Sequence, residues 1–541
     1  MTTSLITMLD TFKKLFGFSA ASGGSRIVVN CEPLETRVAV LEDKTLEEYT
    51  IERTGQSNIV GSIFKGRVKN IEGGLKAMFV DIGFEKNAFL HFWDAIPAAL
   101  DGGLEEIKRS TKKKNRITSK DIPDIYPVGS EVLVQVTKGP IGNKGPRVTT
   151  NISLPGRFMV LMPRNDQFGI SRKIDDPQER QRLRKICERL SVPENMGIIM
   201  RTVCQGKRAR FFVRDLRLLL EQWDEIDERQ NNGKAPLCVF QEPGLVERTV
   251  RDFLTDEVAE VLCDDEEVTE EMRELVSSIS RRAKKRINFY QGKQPIFDKL
   301  GINRQIENAF HRQVWMPCGG YLCIDETEAL IAVDVNTGRN KGHKGNMDKM
   351  ILETNLEAAD EVSRQLKLRN IGGLVVVDFI DMKGRKDQMA VYRRMRDRVR
   401  KDKAKTQILH ISQLGLMEMT RQRLNESLTG SVMEPCSYCQ GKGSVKSTMT
   451  MSVELQRRLN LVFQSQGGER SRDLIVVVHP DVMHRLRTED EAILEELQRR
   501  NVGRLTFRAD PTYHREQVMI VDAASNEEIT VGLPRDPNER N

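Results

Sequence analysis

Ala329–Gly338 (ALIAVDVNTG) and Leu374–Met382 (LVVVDFIDM), with a helical pattern between them, decide how this chain folds. In the first stretch apolar and polar positions alternate, so a β-strand puts Leu330, Ala332, Asp334 and Asn336 on one face and Ile331, Val333 and Val335 on the other. In the second, Leu374–Val377 carry no polar residue before Asp378, the pattern of a strand covered on both faces. Leu352, Leu356, Ala359, Val362 and Leu366 recur at helical spacing between them, and Gly372–Gly373 supplies a stop. Strand, helix, strand in this order predicts a parallel pair in one sheet. Ligands bind at the carboxyl ends of such strands, so Asp334 and Asp378 are expected to converge at one mouth. Two close carboxylates repel unless a proton or cation lies between them, and magnesium, which takes one or two carboxylates and keeps several waters, fits that demand.

Either acid alone reads as readily as a helix cap or a turn residue. With IAVDVNTG, TNLEAADEVSRQLKLRNIGGLVVVDFIDM and MEMTRQR taken together, the sequence closely resembles the bacterial ribonuclease E/G family, in its compact, ribonuclease G-like form. The resemblance runs from about Ile27 to the C-terminus and is densest over 317–443. It implies that Asp334 and Asp378 hold a catalytic magnesium and that Asn336 supports an attacking water. It also implies a multidomain α/β architecture: an extension (1–24), an RNase H-like subdomain (25–56 and 236–310), an OB-type RNA-binding barrel (57–150) and a 5′-phosphate sensor (151–235). A DNase I-like catalytic subdomain (311–430), a zinc link (431–443) and a small α/β C-terminal domain (444–541) complete it.

The chain's length of 541 residues exceeds what one core can organise, and 39% hydrophobic with 30% charged residues describes several modest cores under a polar surface. A net charge of +7 is too small at this length to mark a nucleic-acid binder by itself. The sequence shows neither a membrane span nor a secretory signal, and nine cysteines, mostly single apolar positions, fit a reducing cytoplasm. Near the start, Leu5, Leu9, Phe12 and Phe16 fall at helical spacing beside Lys13 and Lys14. That pattern serves a docked extension first and a weak membrane anchor over 1–20 second.

Short alternating runs from Arg26 to Tyr49 predict strands of one sheet. Ser57–Val68, Lys76–Asp81, Asn87–Phe92 and Glu131–Thr137, separated by Gly corners, predict a small OB-type barrel whose exposed face binds single-stranded nucleic acid. Phe64, Phe79, Phe89, Phe92 and Trp93 are its aromatic candidates, most of them expected in the core; the resemblance selects Phe79 and Phe89 for RNA, with Lys138 and Lys144 as basic contacts. The charged insert Gly102–Asp124, basic around Lys112, reads as a solvated loop with phosphate contact as the alternative. After Thr150, strands and helices near Gln178–Leu190 and Phe211–Trp223 predict a mixed α/β unit, and 231–234 a linker. Ile198–Thr202 ends a strand with a cation beside a hydroxyl, chemistry that can grip one phosphate. By resemblance, Arg201 and Thr202 match the ligands of a terminal 5′-monophosphate and Val160 a supporting backbone.

The Lys383–Lys405 helix is rich in cations with few acids to pair them, which suits phosphate contact for part of it. At Pro435–Gly443 (PCSYCQGKG), Cys436 and Cys439 have the knuckle shape of a zinc ribbon but supply two ligands of four. The resemblance implies one zinc shared between two subunits in a homodimer or homotetramer. The remaining tail predicts two helices and a few strands.

The reading is a magnesium-dependent endoribonuclease that cuts single-stranded RNA, leaving 5′-phosphate and 3′-hydroxyl ends. It would prefer 5′-monophosphorylated substrates and act in RNA processing and decay, with any RNA-decay partner proteins not identified by the sequence. The rival is a non-catalytic RNA-binding scaffold, which does not require both aspartates.

Overall fold

The computed structural model describes residues 24–55, 59–97, 104–107, 118–140, 144–254, 258–277, 281–327, 329–339, 347–400, 402–423, 427–465, 473–500 and 503–529. The N-terminal extension, with its amphipathic pattern, and the basic run around Lys112 lie outside these residues. The chain divides into two compact units, Met1–Ser431 and Val432–Asn541.

In the first unit, Ser25–Cys31, Glu35–Glu42 and Thr45–Arg53 form an antiparallel meander. Val258–Cys263 adds in parallel to Ser25–Cys31, and Ile287–Phe289 in parallel beyond it. Ile27 and Val29 face the helices Leu245–Phe253 and Glu266–Ser277, whereas Val28, Ala39 and Leu41 face Ile296–Lys299 and Ile302–Phe310. Covering both faces is why RIVVN carries no polar alternation.

Ile63–Glu72, Ala77–Asp81, Ala88–His91, Arg147–Thr149 and Glu131–Lys138 close into a five-stranded, OB-like barrel through the pairing of the first strand with the last. Gly66 permits the tight curvature, since a Cβ there would lie 2.5 Å from Val80 Cγ1 and 2.9 Å from the Asp81 carbonyl. Leu237–Phe240, which the sequence groups with the first sheet, instead pairs with Ile63–Lys65 at the barrel's edge.

The neighbouring sheet runs Leu154–Pro155, Met159–Pro163, Met196–Met200, Phe168–Ser171, Leu104–Ile107. Its last strand corrects the reading of the 102–124 insert as solvated loop: Leu104–Ile107 pairs antiparallel with Phe168–Ser171 and buries Ile107. The helix Ala209–Asn232 also runs through half of the expected linker, because the stripe Phe212, Leu216, Leu219, Trp223, Ile226 keeps it on the core up to the Gly233 cap.

The fourth sheet is ordered Gln313–Trp315, Tyr321–Glu326, Leu330–Asn336, Gly373–Asp378, Leu416–Arg421, Thr406–Ile408. Only Leu330–Asn336 and Gly373–Asp378 are parallel, joined by the helix Met347–Leu368. That helix and Arg385–Val399 pack on one face, over Ile331, Val333, Val335, Val375, Val377, Met417 and Met419. The expectation that Leu374–Val377 is covered on both faces is corrected: Leu374 is 43% exposed and Val376 half-buried, because among the described residues the helices pack on the other face only. The helix stop is corrected as well. Asn370, at φ 48°, takes the left-handed position, with the Ile371 amide donating to Leu366 O (3.2 Å) and the Asn370 amide to Lys367 O (3.0 Å). Gly372 serves packing instead, since a Cβ there would meet the Arg421 carbonyl at 2.8 Å.

In the second unit, Leu474–Val478 lies between Leu505–Ala509 and Val518–Asp522. Three helices accompany this sheet rather than the expected two, Thr448–Ser465, Pro480–Thr488 and Glu491–Arg500, with Asp490 in the break between the last two. Its carboxylate accepts from Ser452 Oγ (2.7 Å) and Arg485 Nε (3.0 Å). Among the described residues no helix is long and apolar enough to cross a membrane.

Candidate active site and nucleic-acid interface

Asp334 and Asp378 are direct partners across the parallel strand pair. Both are exposed on the face opposite the helices, at the carboxyl ends, as the alternation requires. Asn336, two residues along the same face, donates from Nδ2 to Asp334 Oδ2 at 2.7 Å. Partial burial, then the charges of Asp334 and Asp381, push the Asp378 carboxyl above the usual carboxylate range. A pair of facing carboxylates with this mutual repulsion suits a hard cation that keeps water ligands.

Four neighbours, Asn355, Tyr321, Trp315 and Arg339, escape a sequence reading. Asn355 is wholly buried on the helix between the strands; its Nδ2 donates to Ile380 O (2.8 Å) and its Oδ1 accepts from the Ile380 amide (3.1 Å), fixing the loop that carries Asp381. An amide on an apolar helix stripe was the available signal. Tyr321 stands opposite Asn336 with its ring tilted 52° to that of Trp315, 5.1 Å between centroids, and Trp315 in turn lies under the Arg339 guanidinium at 5.4 Å. Trp315 is 51% exposed, so this ledge beside Asn336 can receive a base. On the basic helix, Arg394 and Arg398 both bind Asp360, at 2.7 Å each, a pairing that the charge pattern did not disclose. Lys383, Arg385 and Lys386 are exposed close after Asp381 in sequence and retain the potential for phosphate contact.

On the barrel, register builds a second surface. Phe79 pairs with Phe89, Phe89 with Arg147, and Arg147 with Lys138, one row across four strands. Met78, Val80, Ala88 and Leu90 alternate with the two phenylalanines and fill the core, so Phe79 and Phe89 look outward, edge to face at 5.9 Å. Only Phe64 and Phe92 of the five aromatic candidates are buried, which corrects the expectation that most lie in the core; Phe79 and Phe89 are half-buried and Trp93 is exposed. Lys138 and Lys144 are both exposed. Arg147, which the sequence reading did not single out, is held flat by Asp94 (Nε 3.1 Å, Nη2 2.8 Å).

At the third location, Met159–Pro163 and Met196–Met200 pair so that Val160 lies opposite Ile199, near the strand end from which Arg201 follows. Arg201 donates to Gly156 O at 2.6 Å and to Asp252 Oδ1 at 2.7 Å. Burial would raise the Asp252 carboxyl, but Arg201 and Arg251 outweigh it and hold it below its ordinary value. Asp215 accepts the amides of Arg157, Phe158 and Met159 (3.1, 2.8 and 3.1 Å), shaping the loop around the Arg201 guanidinium. Thr202 is exposed next to it.

In the second unit, the Cys439 and Tyr438 amides face the Cys436 sulfur and hold its thiol below the ordinary range. Gln440 and Gly441 at φ 50° and 81° complete a tight knuckle that leaves Cys436 exposed.

A model of the ribonuclease E/G family matches residues 153–424. The chain is 35% identical to ribonuclease G of Escherichia coli strain K12 over 497 residues, 92% of this chain and 99% of that one. The chain belongs to the ribonuclease E/G family. Ribonuclease E of Haemophilus influenzae is 37% identical over 480 residues, covering 88% of this chain and 50% of that one, and ribonuclease E of E. coli strain K12 is 37% identical over 484 residues, with 44% of its length covered. As a ribonuclease E/G protein the chain is an endoribonuclease of RNA processing and decay.

Proposed function

We propose that this endoribonuclease hydrolyses single-stranded RNA with a magnesium ion held by Asp334 and Asp378. The observation that carries the reading is their pairing in register at the carboxyl ends of two parallel strands, with Asn336 bonded to Asp334. Bound there, magnesium would polarise the phosphoryl group and lower the pKa of a water. Asn336 orients that water and restrains Asp334, while the Trp315–Tyr321 ledge positions a neighbouring base. Attack of that water on phosphorus with the 3′ oxygen as leaving group, which takes up a proton, gives 5′-phosphate and 3′-hydroxyl ends. The row Phe79, Phe89, Arg147, Lys138, together with Lys144, binds the single strand by stacking and by phosphate contact.

Arg201 and Thr202, with backbone near Val160, receive a terminal 5′-monophosphate; the Asp252 partner holds the guanidinium in place until the phosphate arrives. Cys436 and Cys439 supply half of a zinc site that a second subunit completes, giving a homodimer or a dimer of dimers. The first sheet corresponds to an RNase H-like subdomain and the fourth to a DNase I-like one, in a cytoplasmic enzyme.

The test is cleavage of labelled RNA and DNA oligomers of one sequence, with and without magnesium. RNA cut only with magnesium, and DNA left intact, is the expected result; magnesium-independent cutting, or equal cutting of DNA, would reject the reading.

A further inference from the structure

Cys31, Cys263 and Asp264 have no part in the chemistry above, yet their two sulfurs and a carboxylate oxygen all lie within 4.8 Å of one another. We propose that Cys31 Sγ, Cys263 Sγ and the Asp264 carboxylate form a binding site for a thiophilic divalent cation, zinc foremost, with solvent in the fourth position.

The site lies at the carboxyl ends of the parallel strands Ser25–Cys31 and Val258–Cys263, where the first sheet opens next to the start of the helix Glu266–Ser277. Val29 is the partner of Cys263, so Cys31 stands two residues further along the same face. From a rise of about 3.3 Å per residue and a strand spacing of about 4.8 Å, that diagonal sets the Cα atoms roughly 8 Å apart. A disulfide needs Cα atoms within about 7 Å, so the backbone here resists a direct sulfur–sulfur bond. A metal between the sulfurs suits it better: around tetrahedral zinc, with Zn–S of about 2.3 Å and Zn–O of about 2.0 Å, ligand atoms lie about 3.5–3.8 Å apart.

The carboxylate is already aimed. Asp264 Oδ1 accepts from the Cys31 amide (2.9 Å) and Oδ2 from Asn30 Nδ2 (2.6 Å), and Asn30 Oδ1 accepts from Arg37 Nε (2.7 Å). Asn30 is 6% exposed, so the Arg37–Asn30–Asp264 chain is a fixed support of the kind that orients metal ligands, and each carboxylate oxygen keeps a lone pair for a cation. Cys263 is buried, whereas Cys31 and Asp264 are half-buried and provide a route for the ion. A cation here would tie together two strands whose residues are more than two hundred positions apart in the chain.

Cobalt(II) and zinc(II) are the probes, and full-length Cys436→Ser/Cys439→Ser protein is the background, so that the knuckle in the second unit cannot answer for this site. The expected result is one cobalt per chain with a near-ultraviolet thiolate-to-cobalt charge-transfer band, displaced by zinc, and a melting temperature raised by zinc. Adding Cys31→Ser should abolish the band and the thermal shift, Asp264→Asn should weaken binding at least ~10-fold, and Cys238→Ser, at an exposed cysteine elsewhere, should change neither. Cys31 is half-buried, so its substitution leaves the core intact, and the circular dichroism of each variant checks this. Absence of the band in the background protein, or a band that survives Cys31→Ser, would overturn the site.

Discussion

Asp378→Asn should remove catalysis and at the same time stabilise the metal-free protein. Asp334 and Asp378 are direct partners on adjacent parallel strands, which sets their carboxylates about 5 Å apart. Two unit charges at that separation repel by about 3 kcal/mol at an effective dielectric constant near 20. Both side chains are exposed, and screening by water reduces this to below about 1 kcal/mol. The amide variant therefore gains about 1–3 °C in melting temperature in chelator. The sign with pH is fixed by the raised carboxyl of Asp378: its penalty is full at neutral pH, so the advantage of the variant is greatest there. The advantage closes as pH falls through that raised value toward the ordinary carboxylate range. Catalysis moves the other way. Losing one of two charged metal ligands costs about 4 kcal/mol of transition-state stabilisation, or about a thousandfold in rate. Differential scanning fluorimetry in chelator and in magnesium, beside single-turnover cleavage of a labelled single-stranded RNA, measures both. A variant that is less stable than wild type in chelator, or that cuts within about tenfold of wild type, would refute the reasoning, because a purely structural aspartate loses stability and a catalytic one does not.

Arg201→Ala should cut the preference for 5′-monophosphorylated over 5′-hydroxylated RNA by about tenfold or more, the worth of a charge-assisted pair, while substrates lacking the 5′ phosphate are cleaved as before; competition cleavage of the two RNAs reads it out. Phe79→Ala and Phe89→Ala should each weaken single-stranded RNA binding by about 1–3 kcal/mol with little loss of stability, whereas Phe64→Ala, in the barrel core, should destabilise by about 3–5 kcal/mol; anisotropy titrations and denaturant melts separate the two classes. Cys436→Ser/Cys439→Ser should lose the zinc held at half per chain and, with it, the dimer, in metal analysis and light scattering; a double variant of unchanged mass refutes the link. Arg421→Met should cost about 3–5 kcal/mol, since Asp402, 4% exposed with Arg421 Nε at 2.7 Å, would be left buried and unpaired, and adding Asp402→Leu should restore part of that in the same denaturant melts.

Alternation along ALIAVDVNTG, the helix between the two stretches and the crossover rule together determine that Asp334 and Asp378 share a sheet, an orientation and an end. These are local or nearly local regularities, set by side-chain period and chain handedness, and therefore legible residue by residue. The motif resemblance likewise depends only on order along the chain. Tertiary structure decided what depends on distant partners. Leu104–Ile107 is a strand because Phe168–Ser171 offers it an edge, not because its charged surroundings favour one. Arg147 joins Phe79 and Phe89 because the strand Arg147–Thr149, distant in sequence, lies in parallel beside the hairpin that carries the two phenylalanines. Arg394 and Arg398 are taken by Asp360 from the packed neighbouring helix, which charge density along one helix cannot disclose. Leu374–Val377 reads as doubly covered since an apolar run records hydrophobicity but not how many layers the fold supplies; here helices cover one face, and the other is left to the two aspartates. Cys31 and Asp264, 233 residues apart, meet only because parallel strands from opposite ends of a long insertion share a sheet, and pairing across such a span leaves no periodic trace in sequence.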